Sequence, residues 1–202
     1  MQPKQNTDQL TFHQNIQETI KQYLRFFPDE EPRQQVVIEA LANQALDLRL
    51  RSTIPEGHMC ASGIILLPDN KILMLEHKAL GIWVVPGGHY DITDGDLATT
   101  AIREALEETG LEGFQLHPWH LRHNIPLDID THPIPARPEK GEAAHQHFDF
   151  RYILEAKNPA EIISKLSLQA AEIMSFKEFE VSEVDPSSSI GPALKKLGIV
   201  TG

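Results

Sequence analysis

Residues 103–111 read Arg-Glu-Ala-Leu-Glu-Glu-Thr-Gly-Leu, and this run constrains the fold more than any other stretch of the chain. Glu104, Glu107 and Glu108 stand at i, i+3 and i+4, so a helix gathers their carboxylates on one face within about one turn. Three acids that close repel one another unless a cation sits between them. A solvated acidic stripe is the ordinary reading of such a run. Its surroundings argue for more. Pro86-Gly87-Gly88 turns the chain after an apolar run, Ala98, Ala101 and Ala105 let the helix pack closely, and Gly110 stops it.

The run over residues 103–111 resembles the second half of the Nudix box: Arg-Glu, apolar, any, Glu-Glu, any, Gly, apolar. The match is full, with Ala105 as the small apolar member. The first half departs from the family, because Arg103 stands one position further from Gly88 than the pattern has it, lengthening the loop over residues 91–95. Counting from Gly88 puts Asp94 at the early acidic position, counting back from Arg103 puts Gly95 there, and Asp96 follows. The early acid reads as a helix N-cap rather than a ligand. A Gly57-His58 entry, the Pro86-Gly87-Gly88-His89 loop and Asp128-Ile129-Asp130-Thr131-His132-Pro133-Ile134-Pro135 are similar to bacterial members of the family, and the likeness covers most of the chain after residue 50.

The resemblance implies an α+β fold, a Nudix α/β/α sandwich with a mixed β-sheet, and metal-dependent hydrolysis of a diphosphate. It makes Glu104, Glu107 and Glu108 the metal ligands, with the backbone carbonyl of Gly87 as a fourth. Arg103 orients these acids. Hard oxygen donors of this kind suit Mg²⁺ or Mn²⁺ better than zinc. The family also draws an acid from beyond the box as ligand or general base, and Glu172, opening the last strand-like run, is the first candidate, with Glu142 and Asp149 as alternates.

Composition narrows the partners. A chain of 202 residues, 41% apolar and 6% aromatic, suits one compact domain with an attached element. Its formal charge of −11 argues against a nucleic acid polymer and against an anionic membrane surface. No apolar run reaches the roughly 18 residues of a membrane span, and the N-terminus lacks a signal-peptide core. The single cysteine, Cys60, excludes an intrachain disulfide, fits a reducing cytoplasm and reads as an inert buried thiol in a strand. A cytoplasmic protein acting on a small-molecule diphosphate substrate is expected.

The resemblance implies a Nudix hydrolase domain over residues 51–202, preceded by an N-terminal helical extension over residues 1–50. Within 8–49 two helices are expected: Ile16, Ile20, Leu24 and Phe27 make one stripe, residues 27–32 a turn, and Val37, Leu41, Ala45 and Leu48 a second stripe. This helical hairpin has one greasy face, which either packs on the catalytic domain or mediates a homodimer. Residues 51–58 are a linker. Strands are expected over 59–67 and 71–77, split by Pro68-Asp69-Asn70, and over 82–85, 114–123, 125–130, 146–156 and 173–181. A short helix over 190–197 ends the chain.

Residues 127–152 are the second informative stretch. His145, His147 and Asp149 alternate onto one strand face, and Arg137, Lys140 and Arg151 supply local positive charge for a diphosphate. His89 directly follows the glycine pair. His89, Arg137, His145, His147, Asp149 and Arg151 are therefore expected at the substrate, with phosphate contact favoured over a zinc site for the histidines. The Pro-rich loop over 133–141 either covers the site or is a surface excursion. The expected activity is cleavage of a nucleoside diphosphate derivative such as ADP-ribose or a nucleotide sugar, by water attack on phosphorus. The alternatives are a nucleoside triphosphate pyrophosphohydrolase and a non-catalytic nucleotide sensor. Retention of all three acids argues against the sensor, and the lack of any motif around Cys60 argues against a related diphosphate isomerase.

Overall fold

Residues 58–67, HMCASGIILL, are apolar on both of their alternating sets apart from His58 and Ser62, the pattern of a strand covered on two faces. They form β1 (His58–Leu67), buried at every position but one. The structure is a computed structural model that describes residues 2–51, 56–78, 81–138, 141–156 and 173–201. β1 turns through Pro68–Asn70, where Asp69 and Asn70 take φ of 60° and 58°, into antiparallel β2 (Lys71–His77). β1 also pairs antiparallel with β4 (Gly87–His89) and parallel with β7 (His145–Ala156). β3 (Ile82–Val84) and β8 (Ile173–Glu180) flank β2, while β5 (Phe114–Leu116) and β6 (Asp128–Ile134) flank β7. The eight strands make one mixed sheet.

Helices cover both faces. α3 (Leu97–Thr109) lies on the face that carries Ala61 and Gly63, where a Cβ on Gly63 would meet the Ala101 carbonyl at 3.3 Å. Its packed positions are small: Ala101 and Ala105 are fully buried. Asp96 caps its start by accepting from the Thr99 amide at 2.7 Å, and Gly110 closes it in the left-handed conformation at φ 67°. On the opposite face, α5 (Gly191–Thr201) reaches β6 through Lys196, whose Nζ donates to Asp128 at 2.6 Å. The result is the expected α+β sandwich. No helix among the described residues is long and apolar enough to cross a membrane.

The helical hairpin is present as α1 (Gln2–Phe26) and α2 (Glu31–Ala42), with a 3-10 turn at Pro28–Glu30 between them. Its greasy face packs within this chain: Phe12, Ile16, Ile20, Tyr23, Val37 and Leu41 join the same buried core as the sheet, and Phe12 stacks on Tyr90 at 4.7 Å between ring centres. α2 stops at Ala42, short of Ala45 and Leu48, because the Asn43 side chain turns back to accept from the Ala45 amide. Residues 114–123 are not one strand. Pro118 cannot donate to a ladder, and after β5 the chain forms α4 (Pro118–His123), capped by His117 and closed by Asn124 at φ 53°. β6 begins at Asp128 rather than 125 and runs through Pro133, which an edge strand tolerates.

α4 brings in a histidine with a structural task. His120 is buried, its Nδ1 lies 2.7 Å from the Ile125 carbonyl, and its Nε2 accepts from the Ile153 amide at 2.8 Å. Only the neutral ring with its proton on Nδ1 satisfies both. Burial is the main cause that lowers its pKa to about 4, against the opposing pull of the Ile125 carbonyl. The folded value lies below that of the unfolded chain, so this stability is complete above about pH 6.5 and is lost as pH falls toward 4. Between pH 7 and pH 5 the chain is expected to lose about 2 kcal/mol more stability than a His120→Gln variant. Urea unfolding at the two pH values checks this, and parallel losses in both proteins would contradict it.

Candidate active site

The carboxylate face of α3 and the outer edge of β4 form the site. Bonds from the Gly63 amide to the Pro86 carbonyl and from the Tyr90 amide to the Met59 carbonyl bracket Gly87. By antiparallel alternation the Gly87 amide and carbonyl then point away from β1. Its N–H accordingly donates to Glu108 Oε2 at 3.3 Å. Gly88 faces Glu104 so closely that an added Cβ would come within 2.5 Å of that carboxylate. Glycine at 88 is thus what lets Glu104 lie against the strand.

Arg103 holds the set in place. Its Nη1 donates to Glu104 at 2.8 Å and to Glu107 at 3.1 Å, its Nε and Nη2 donate to Asp94 at 2.9 and 3.0 Å, and Nη2 also reaches the His89 carbonyl at 2.9 Å. Hydrogen bonding to Asp94 is the main cause that raises its pKa further. Asp94 is itself buried, yet bonds from Arg103, Thr100 and the Asp91 amide hold its carboxyl below the usual range. Burial pushes the Glu104 carboxyl up, against the pull of Arg103. Glu107 stays 56% exposed. Three carboxylates, Asp94, Glu104 and Glu107, thus contact one guanidinium and Glu108 lies at the Gly87 amide, an excess of negative charge that fits a hard divalent cation bound by oxygen.

The longer loop is absorbed by a 3-10 turn, Ile92–Asp94, with Gly95 at φ 81°. Asp94 therefore orients Arg103 while Asp96 caps α3, a division that residue counting alone left open.

Five expected residues, Gly87, Arg103, Glu104, Glu107 and Glu108, come together here. Others lie elsewhere. Glu172 and Lys140 fall outside the described residues. Arg151, expected at phosphate, is 3% exposed and bonded to Asp128, Asp130, Asp149 and the Ser189 carbonyl. Asp149 accepts from Ser62 Oγ at 2.7 Å and from Arg151 Nε at 2.9 Å. Both are buried, beside Ser62 and Cys60 of β1. Arg137 sits at a short backbone bridge to Glu142, which pairs with Arg51 at 3.2 Å. His145 Nδ1 lies 2.7 Å from the Ala143 carbonyl. His89 and His147 point to the sheet face opposite α3, where their Nε2 atoms lie 3.3 Å apart and His58 is their neighbour. Burial lowers the pKa of His58 to about 4 and of His89 to about 3. Cys60, 4% exposed, lies with them, its thiol pushed up by burial. Sequence reasoning noted each of these residues singly and missed their assembly, which only cross-strand register reveals.

A cavity of about 360 Å³ lies between α1 and the first turn of α3, lined by Phe12, Ile16, Leu97, His120 and Tyr152 among others. None of the three box acids lines it.

The chain is similar to known proteins. The family model described as NUDIX domain matches residues 57–195. A probable DHNTP pyrophosphohydrolase of Lactococcus lactis subsp. cremoris (strain MG1363) is 29% identical over 137 residues, covering 68% of this chain and 76% of that protein. The C. elegans Ap4A hydrolase in a binary complex is 19% identical, with 70% of this chain and 95% of that chain covered and a TM-score of 0.47. The E. coli dihydroneopterin triphosphate pyrophosphohydrolase is 14% identical, with 74% and 99% covered and a TM-score of 0.47. Because the matched residues take in the sheet, the glycine loop and the whole of α3, the chain belongs to the Nudix family and is a Nudix pyrophosphohydrolase, a hydrolase of acid anhydrides.

Proposed function

We propose that the chain hydrolyses the diphosphate linkage of a nucleoside diphosphate derivative, such as ADP-ribose or a nucleotide sugar. The observation that carries the reading is the Glu104 and Glu107 pair held by Arg103, with Glu108 accepting from the Gly87 amide beside them. Those three acids and the Gly87 carbonyl would hold Mg²⁺ or Mn²⁺. Bound there, such an ion neutralises the diphosphate and lowers the pKa of an attacking water. Gly88 leaves Glu104 room to lie against β4, and Arg103 fixes Glu104 and Glu107 before substrate arrives, so little reorganisation is needed during reaction. As the water oxygen bonds to phosphorus, its proton passes to a carboxylate and the bridging P–O bond breaks, releasing two phosphorylated products.

A second reading is favoured by one comparison. The L. lactis relative is named for a triphosphate-type substrate, DHNTP, which supports pyrophosphate release from a triphosphate. Chromatographic separation of the products formed with Mg²⁺ and Mn²⁺ from nucleoside and pterin triphosphates, dinucleoside polyphosphates, nucleotide sugars and ADP-ribose distinguishes the two, by paired monophosphates for the first reading and pyrophosphate for the second. The expected result is highest kcat/KM on a nucleotide sugar or ADP-ribose. Turnover of triphosphates alone would replace the first reading with the second.

A further inference from the structure

The face of the sheet opposite α3 carries a donor set that the carboxylate site does not use. His58 and Cys60 stand two residues apart on β1 and so project from the same face. Across the ladder Cys60 is opposite His89 of β4, and His58 is opposite His147 of β7. Three neighbouring strands therefore deliver three imidazoles and one thiol to one place. Their nearest donor atoms, one from each residue, all lie within 4.8 Å of one another.

His58 is the centre of this group. It is 1% exposed, its ring centre is 4.7 Å from those of both His89 and His147, and among the described residues neither of its nitrogens has a hydrogen-bond partner. A buried polar group left without a partner costs about 1–3 kcal/mol. A purely hydrogen-bonded histidine cluster accounts for His89 and His147, whose Nε2 atoms lie 3.3 Å apart. It leaves both His58 nitrogens unpaired.

We propose that His58, Cys60, His89 and His147 form a tetrahedral zinc site, separate from the carboxylates of α3. Three imidazoles and a thiolate are a borderline-soft set that suits zinc and repels the hard Mg²⁺ expected at the acids. Metal–nitrogen bonds of about 2.0–2.1 Å and a metal–sulfur bond of about 2.3 Å place tetrahedral ligands roughly 3.3–3.6 Å apart. The His89–His147 separation already has that value, and the widest separation in the set closes to it by about an ångström. Binding converts the Cys60 thiol to thiolate, with its proton released to solvent, while the three imidazoles bind neutral. Asp149 stays outside the set because Ser62 and Arg151 occupy its oxygens. The site pins β4 to β1 and β7. His89 is also the residue whose carbonyl receives Arg103, and it follows Gly87 and Gly88, so zinc on one face of β4 would steady the loop that frames the acids on the other.

The chain has a single cysteine, which makes the test direct. Cobalt(II) added to the purified full-length protein in excess Mg²⁺ is expected to produce a thiolate-to-cobalt absorption band that saturates at one equivalent, and zinc is expected to displace it. Zinc alone, carried through desalting in Mg²⁺, is expected to stay at about one ion per chain in the wild type and in Glu107→Gln. It is expected to fall at least tenfold in Cys60→Ser and in His58→Gln. Absence of the cobalt band from the folded wild-type protein overturns the proposal, whatever the variants do. So does zinc retained in a folded Cys60→Ser, or zinc lost from Glu107→Gln, which would place the ion at the acids.

Discussion

Glu107→Gln is expected to lower kcat by about two decades or more and to leave the fold unchanged, the size of loss that follows removal of one positioned electrostatic group. The two halves of this expectation have different origins. Glu107 is 56% exposed and its one described bond is to Arg103, so its pairing contributes little to stability, within about 1 kcal/mol. Glutamine has the same length and can still accept from Arg103. What it lacks is the charge that a divalent cation and a developing transition state need. Single-turnover rates on the substrate identified by product chromatography, together with urea unfolding of both proteins, check the prediction. A folded Glu107→Gln enzyme with undiminished hydrolysis would remove α3 from the mechanism.

How far the sequence revealed this site depended on the range of the interactions involved. The Glu face of α3, its alanine back and its glycine stop are all local, set by helical spacing, and they were read directly. The hairpin of β1 and β2 was equally local, because Pro68-Asp69-Asn70 marks its turn. The parallel pairing of β1 with β7 joins segments that begin 87 residues apart, His58 and His147 being 89 apart, and no local pattern encodes that register. Period-two reasoning put His145, His147 and Asp149 on one face, yet their fates were decided by neighbours on other strands. Asp149 met Ser62 and Arg151, while His147 met His58 and His89. Cys60, an ordinary buried thiol when read alone, gains a different meaning beside three histidines. The same limit applied to residues 114–123, where apolar content suggested a strand and Pro118 imposed a helix.

Asp128→Ala is expected to cost about 3–5 kcal/mol, the scale of removing one partner from a buried ion group. Asp128 is fully buried and joins elements from both ends of the chain. Its Oδ1 accepts from Lys196 of α5 at 2.6 Å and from Arg33 of α2 at 3.3 Å, while Oδ2 accepts from Arg151 of β7 at 3.3 Å. Tyr23 of α1 accepts from the same Lys196 at 2.6 Å and donates to Glu30. Without Asp128, Lys196 and Arg151 remain buried with less negative charge beside them, and the cost is that of an uncompensated ion rather than of a lost surface contact. Because the network ties α1, α2 and α5 to β6 and β7, the N-terminal helices and the sheet are expected to unfold together in a single urea transition, at a lower midpoint in the variant. Circular dichroism reports the helices, and tryptophan fluorescence of a Trp119→Phe background reports the sheet through Trp83 of β3, which packs on Phe179 of β8. Coincident curves are expected for both proteins. A variant within about 1 kcal/mol of wild type, or a helix signal lost ahead of the sheet, would show that this aspartate does not join them.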